Sequence, residues 1–399
     1  MDQKKSEAIR LLMEQWGDEL VSFAAELVRC PSVTGNEGGM AKLVQAKMKE
    51  LDFDEVTLDP MGNVIGRVGS GKHAIFFDSH MDTVDVIDAD EWKEDPFGGK
   101  VVDGLLYGRG SVDMKGALAC SMFAAAAAKK LDLLEGKTVY VSASLMEEDY
   151  DGQAVLYILE KDKIVPEAVV VCEATELAVG YGHRGRALLQ IDVKGKAAHG
   201  SRPDLGINPV YGMRKIIERV EALSDRLPGG PLGGSVALTG ISCVAASANS
   251  VPQSASITLD RRLSLEENYE YICKEMEYLI GDEDATWSVC DIPGESWRGE
   301  PVLLHSFLPA WEIPTDSPLC VAAAEAGEDV IGEKPPFEKF GYCTNAVATA
   351  GLHGIPTIVL GPGSTAVAHM RDEYCAVEQL QKVCHIYTRL CEYYPGVDK

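Results

Sequence analysis

The sequence predicts an α/β fold of two domains, the first interrupted by the second. Apolar strand-like runs alternate with helical stretches at both ends of the chain, the texture changes near residue 184, and it changes back near residue 294. At 399 residues the chain exceeds one usual globular core. Residues 1–183 and 295–399 are therefore assigned to one domain, and 184–294 to an insertion.

The stretch up to Val28 has helical spacing with charges throughout. Ala74 to Asp78, Thr138 to Leu145 and Ala168 to Cys172 are apolar runs of strand length, and Gly116 to Lys130 is a helix whose small residues suit close packing on a sheet. From Arg186 onward Leu189, Ile191 and Val193 alternate with polar neighbours. A helix follows over Pro209 to Leu223, then strands Val236 to Ile241 and Ala255 to Leu259, a helix over Leu265 to Ile280, and a strand over Trp287 to Cys290. The order β-α-β-β-α-β is that of a ferredoxin-like α+β sandwich. After Pro293 an apolar helix near Leu319 to Ala326 and a strand over Thr357 to Leu360 restore the first texture.

Sixty-two acidic against 37 basic residues give a net charge of −25, which argues against nucleic acid or an anionic membrane as partner and favours small molecules. The eleven cysteines are scattered, odd in number and never spaced C-x-x-C, the pattern of buried reduced thiols in the cytoplasm. The amino terminus lacks the apolar core of a secretory signal, and Ala117 to Ala128 is too short to span a bilayer.

Candidate chemistry gathers at strand ends. FFDSHMDTV sets His80 and Asp82 two apart at the end of a strand, where alternation turns both to one face. A carboxylate there can hold the second nitrogen of a metal-bound imidazole, although an incidental Asp explains the pair equally well. A glycine-rich turn around Gly108 and Gly110 delivers Asp113, placed to bridge two cations. KTVYVSASLMEEDYDG ends on Glu147 and Glu148, which extended chain would send to opposite sides; a solvated acidic turn is the plainer reading of that stretch alone. AVVVC runs into Glu173, and GIPTIVLGPG leads to His369. Functional groups in open α/β sheets collect beyond the carboxyl ends of strands. Five oxygen and nitrogen ligands without a thiolate suit two zinc ions, with manganese or cobalt as substitutes.

These residues resemble the M20 family of zinc peptidases and deacylases, which includes acetylornithine deacetylase, succinyl-diaminopimelate desuccinylase and glutamate carboxypeptidase. The resemblance spans nearly the whole chain: HMDTV at 80–84, GRGSVDMKG at 108–116, MEED at 146–149, AAHGSRP at 197–203 and AHMRDE at 368–373. It implies a zinc-aminopeptidase-like catalytic domain with an inserted lid that forms a homodimer. By the same resemblance His80, Asp113 and Glu173 hold one zinc, and Asp113, Glu148 and His369 the other. Asp82 orients His80, Glu147 is the general base, and His199 reaches the neighbour's oxyanion across the dimer. Asn249 and Arg262 are implied for a substrate carboxylate, and Gly341 and Asn345 lie in a segment the family uses near the substrate. The segments 307–319, 341–346 and 354–363 resemble the selenium-metabolism-linked hydrolases, a branch named for a genomic association. Three positions depart from the family pattern: Ala174 for a proline, Asp372 for an asparagine and Asn345 for an aspartate.

The reaction so implied is cleavage of the amide bond of an N-acyl or N-carbamoyl amino acid or a dipeptide, by a metal-bridging water with Glu147 as base. The competing reading is a metal-binding scaffold that keeps the fold without turnover, and Glu147 beside a full ligand set argues against it. Gly66 to His73 nearly matches a phosphate-binding loop, but His73 stands where Ser or Thr is needed and a strand follows, so a hairpin turn is expected. GHRGR at 182–186 reads as a domain hinge, and His305, His353 and His385 as structural.

Overall fold

The computed structural model describes residues 3–396. In chain order the larger sheet begins with β1 (Glu55–Leu58), β2 (Val64–Gly69), β3 (His73–His80), β4 (Lys137–Ser144), β5 (Ala168–Val171) and β6 (Val179–His183). A smaller sheet follows, with β7 (Gly185–Lys194), β8 (Ser235–Val244), β9 (Ser254–Leu263), β10 (Ala285–Val289) and β11 (Phe307–Leu308). The chain then returns to the larger sheet through β12 (Trp311–Glu312), β13 (Phe337–Phe340) and β14 (Thr357–Val359). That sheet runs β1-β2-β4-β3-β5-β14-β6-β12, with β13 also on β6.

Its centre is parallel: β3 pairs with β4 and β5, and β14 with β5, all in one direction. Parallel strands are covered on both faces and read as unbroken apolar runs. β5 is buried throughout, as are the last six residues of β3. One face carries, among others, α1 (Gln3–Val28), α2 (Gly38–Glu50) and α3 (Gly116–Lys130). Thirteen of the fifteen residues of α3 are buried, which small side chains permit because they let the helix lie between the sheet and α1. Trp16 of α1 meets Phe123 of α3 edge-on at 5.8 Å.

The smaller sheet is antiparallel, ordered β8-β9-β7-β10 with β11 also on β7. One face is covered by α4 (Pro209–Arg226) and α5 (Tyr269–Ile280). Ala187, Leu189, Ile191 and Val193 of β7 pack there against Met213, Ile216, Ile272 and Met276. This is the ferredoxin-like layering that the sequence predicts. Asn208 caps α4 by accepting from the Val210 N–H, ahead of Pro209 in the first turn. Asn268 caps α5 in the same way, so that helix starts later than Leu265. The chain closes with α6 (Pro318–Ile331) and α7 (Val377–Tyr393), the latter packed on α3.

Three expectations need correction. The segment around Gly71 is not a hairpin turn, because β4 lies between β2 and β3, antiparallel to one and parallel to the other. The connection crosses the start of β4, and Gly71 lies so close to Gly136 that a Cβ would stand 1.9 Å from its carbonyl carbon. The small sheet also does not end at 294: strands Asp291–Glu295 and Pro301–His305 pair with each other, and the chain then adds β11 beside β7. Finally, all eleven cysteines are free, but Cys243 on β8 is exposed. Among the described residues no helix is long and apolar enough to cross a membrane.

Gly71→Ala is expected to lower the unfolding free energy by about 1–3 kcal/mol, the usual cost of forcing atoms into a filled site. Urea unfolding measures it, and an unchanged midpoint would contradict the crossing geometry.

Candidate metal centre

The carboxyl ends of β3, β4 and β5 lie side by side and supply three sides of one site. His80 is the last residue of β3 and is 1% exposed. There the chain leaves the sheet, so strand alternation no longer governs Asp82. The His80 Nδ1 lies 2.9 Å from the Asp82 backbone carbonyl and 3.5 Å from its carboxylate. The carboxylate accepts instead from the backbone N–H groups of Glu147 (3.0 Å) and Glu148 (3.2 Å) and from the Thr34 hydroxyl (2.8 Å). Asp82 thus fixes the His80 ring through its main chain and the acidic turn through its side chain.

That turn also differs from the extended chain expected after β4. Met146 is left-handed at φ 56°, and Glu147–Tyr150 form a helical turn. The two acids diverge by the helical step of about 100° rather than by strand alternation. Asp113 comes from the irregular Ser111–Lys115 turn, entered through left-handed Gly110. His369, itself at φ 61°, lies on the long loop after β14.

Asp113 Oδ1 lies 3.0 Å from His80 Nε2, and Asp113 Oδ2 lies 3.1 Å from His369 Nε2. Glu173 Oε1 stands 3.4 Å from His80 Nε2, and Glu148 Oε2 3.0 Å from His369 Nε2. Glu147 Oε2 is farther, at 3.9 Å from His80 Nε2. Among the described residues two groupings have donor atoms mutually close enough to hold an ion, His80 with Glu147 and Glu173, and His80 with Asp113 and Glu148. Glu147 is therefore within ligand reach as well as base reach. His80 is sealed in, whereas the His369 side chain is 51% exposed, so the site opens on the His369 side.

The electrostatics fit a cation site. Burial, then the charge of Asp113, pushes Glu173 up to about 7. Burial also raises Glu148 and, further, Glu147. Hydrogen bonds to Asp113 and Glu148 lift His369 to about 10. His80 is raised against the opposing effect of burial by Asp113, Asp82 and Glu173. Asp113 is held below the carboxylate range, the two histidines outweighing its burial. Acids and imidazoles that hold their protons to higher pH are what a donor set crowded with negative charge shows when no cation offsets it.

Two supporting pairs escape sequence reasoning. Arg109 and Glu373 form a buried ion pair at 2.5 Å. Glu373 also accepts from the N–H groups of Val112 (3.0 Å) and Asp113 (3.3 Å), while Arg109 donates to the His369 carbonyl at 3.3 Å. The pair ties the Asp113 turn to the His369 loop. Buried Asp151, just after the acidic turn, pairs with Arg186 of β7 at 2.5 Å, and Arg186 lies opposite Arg262 in the register of β7 and β9.

The remaining expected residues stand apart. His199 is exposed in a short strand paired with residues 250–251, its Nδ1 2.8 Å from the Ser201 hydroxyl. Asn249 is exposed, and its carbonyl accepts from the Gly200 N–H. Arg262 is half-buried and pairs with Asp260 at 2.8 Å. The Gly341 carbonyl accepts from Arg184 at 2.6 Å. Asn345 is 1% exposed; its amide donates to Asp78 (2.8 Å) and Ser144 (3.2 Å) and accepts from Gly152 N–H (2.8 Å). Its polar atoms are spent beneath the acidic turn, which corrects the expectation that it faces substrate. Of the three histidines expected to be structural, His305 pairs with Asp291 and His353 with Glu160, and His385 is part of α7.

The sequence profile of Peptidase family M20/M25/M40 matches residues 76–393. The uncharacterized protein YgeY of Escherichia coli strain K12 is 33% identical over 376 residues, covering 92% of this chain and 93% of that protein. An acetylornithine deacetylase of Vibrio campbellii is 28% identical over 364 residues, covering 88% of this chain and 91% of the other. The solved structure of Bacillus subtilis YXEP, described as a dinuclear metal binding peptidase of the M20 family, superposes with a TM-score of 0.69 at 17% identity, covering 95% of this chain and 98% of that one. The chain belongs to the M20/M25/M40 peptidase family and is a metal-dependent hydrolase.

A group whose folded-state pKa is raised contributes stability below its unfolded value and loses it as pH climbs through the folded one. Glu173, His80 and His369 are all raised, Glu173 from 4.5 to about 7 and His369 from 6.5 to about 10, so the metal-free protein is expected to lose thermal stability from about pH 4.5 to about pH 10. Added divalent metal displaces those protons and is expected to raise the melting temperature more at the alkaline end. Calorimetry with and without chelator checks both slopes; a metal-free melting temperature that rises with pH across this window would contradict the site electrostatics.

Proposed function

We propose that this M20 metallohydrolase cleaves the amide bond of a small N-acyl or N-carbamoyl amino acid or dipeptide, with Glu147 as general base and two divalent cations held by His80, Asp113, Glu148, Glu173 and His369. The observation that carries the reading is the division of the Asp113 carboxylate, one oxygen to each imidazole. In this reading Asp113 is shared by two sets, His80 with Glu173 (3.4 Å) and His369 with Glu148 (3.0 Å). Oxygen and nitrogen donors without a thiolate suit zinc, with manganese or cobalt as substitutes. When bound, such cations supply Lewis acidity, lowering the pKa of a water and polarising the amide carbonyl.

Glu147 lies beside His80 and Glu173, its Oε2 3.9 Å from the His80 Nε2. Its backbone is fixed by Asp82, and burial lifts its carboxyl above the ordinary range, which suits a group that takes a proton from the attacking water and returns it to the leaving nitrogen. His199 is assigned to the oxyanion of the neighbouring subunit, and Asn249 and Arg262 to a substrate carboxylate, for which a guanidinium fork is apt. The kinship to an acetylornithine deacetylase supports an N-acyl amino acid as substrate class. A homodimer through the inserted domain is supported by β8, an edge strand with Leu238, Ile241 and Val244 exposed. Eleven free thiols in an acidic chain support a cytoplasmic setting.

Glu147→Gln is expected to keep its metal and lose roughly 10²–10⁴-fold in kcat, read as amine release from a panel of N-acyl amino acids, N-carbamoyl amino acids and dipeptides. A variant with most of its activity would remove Glu147 from the base role. Ile241→Glu is expected to dissociate the dimer in sedimentation and to abolish turnover with it, because His199 then has no neighbour to serve. A fully active monomer would contradict the shared site.

A further inference from the structure

Beneath the acidic turn runs the loop Ser32–Glu37, pinned to the chain after β3. Ser32 accepts from the Thr83 N–H at 3.0 Å, and its hydroxyl donates to the Met81 carbonyl at 2.6 Å. Thr34 donates to Asp82. Glu37, at the start of α2, is wholly buried; one carboxylate oxygen accepts from the Gly35 N–H at 2.9 Å and from the Met146 N–H at 3.2 Å. Its other oxygen is buried without a hydrogen-bond partner.

Met146, Glu147 and Glu148 therefore each have their backbone N–H held by a buried carboxylate, the first by Glu37 and the next two by Asp82. These donors open a helical turn, where no partner exists within the helix. Met146 sits in the left-handed region that side-chain-bearing residues seldom adopt, so its surroundings must keep it there. Its φ sets the direction in which Glu147 and Glu148 leave the backbone. Burying a carboxylate with one oxygen unpaired is costly, and capping α2 alone calls for no such residue.

We infer that Glu37 is a positioning residue of this hydrolase: by holding the Met146 N–H it sets the angle of the turn that carries the general base and one metal ligand. This rests on the roles proposed above for Glu147 and Glu148. Asp82 fixes where the turn sits, and Glu37 fixes how it is rotated.

The test compares wild type, Glu37→Ala and Glu37→Gln for steady-state kinetics in the zinc-loaded state and for the rate of zinc loss to a chelator. Glu37→Ala is expected to lose roughly 10–100-fold in kcat with KM nearly unchanged, the scale of a displaced catalytic group, and to release zinc faster. Glu37→Gln keeps a carbonyl to accept from Met146 and is expected to recover most of both. An alanine variant within twofold of wild type in kcat and zinc retention would overturn the inference, and so would a glutamine variant as impaired as alanine. Should Glu37→Ala not fold, Glu37→Asp, too short to reach Met146, must show the same losses; normal behaviour there overturns it too. If wild type itself turns over nothing, the hydrolase reading fails and zinc retention alone decides the role of Glu37.

Discussion

One carboxylate divides the site and joins it. Asp113 offers an oxygen to each of two imidazoles far apart in the sequence, with Glu173 close to the first and Glu148 close to the second. Crowding so many buried acids is unfavourable unless positive charge is interleaved with them. The perturbed titration of Glu173, His80 and His369 expresses that demand, and the membership of a metal-dependent family answers it.

The scaffold holds most of the proposed ligands from behind. Parallel strands bring His80, the acidic turn and Glu173 to one edge of the sheet without any loop having to search for them. The two groups that do lie on irregular chain, Asp113 and His369, are tied to each other by the buried Arg109–Glu373 pair. Rigidity is therefore supplied at second remove, by residues outside the proposed ligand set, as is general for metal sites. The Asp151–Arg186 pair extends the same ordering toward the small sheet, next to the face on which Arg262 lies.

Much of this was legible from residue order alone. Glu173 stands out because an unbroken apolar run ends just before it and His80 because it closes a run of strand length, and the helix Gly116–Lys130 is delimited as observed because its small residues suit close packing on a sheet. The ferredoxin-like insertion follows from period and order. What could not be read has physical causes. Met146 adopts a left-handed conformation without being glycine, so nothing in the sequence announces that the strand ends in a helical turn. Asp82 lies two residues from His80 but past the strand's end, where alternation no longer applies. Arg109 and Glu373 are 264 positions apart, and no periodicity links them. β11 has two residues and is too short to show a period, so the boundary at 294 could not anticipate it. Asn345 shows the limit of resemblance: it was placed near substrate by its segment, yet its amide is consumed by Asp78, Ser144 and Gly152.

The central claim is that Asp113 is shared by two cations. Anomalous diffraction at the zinc edge from crystals of the zinc-loaded protein tests it directly. The account predicts two peaks flanking the Asp113 carboxylate, one against His80 and Glu173 and the other against His369 and Glu148. A single peak, or a pair of peaks that leaves Asp113 outside the coordination of either, would contradict it.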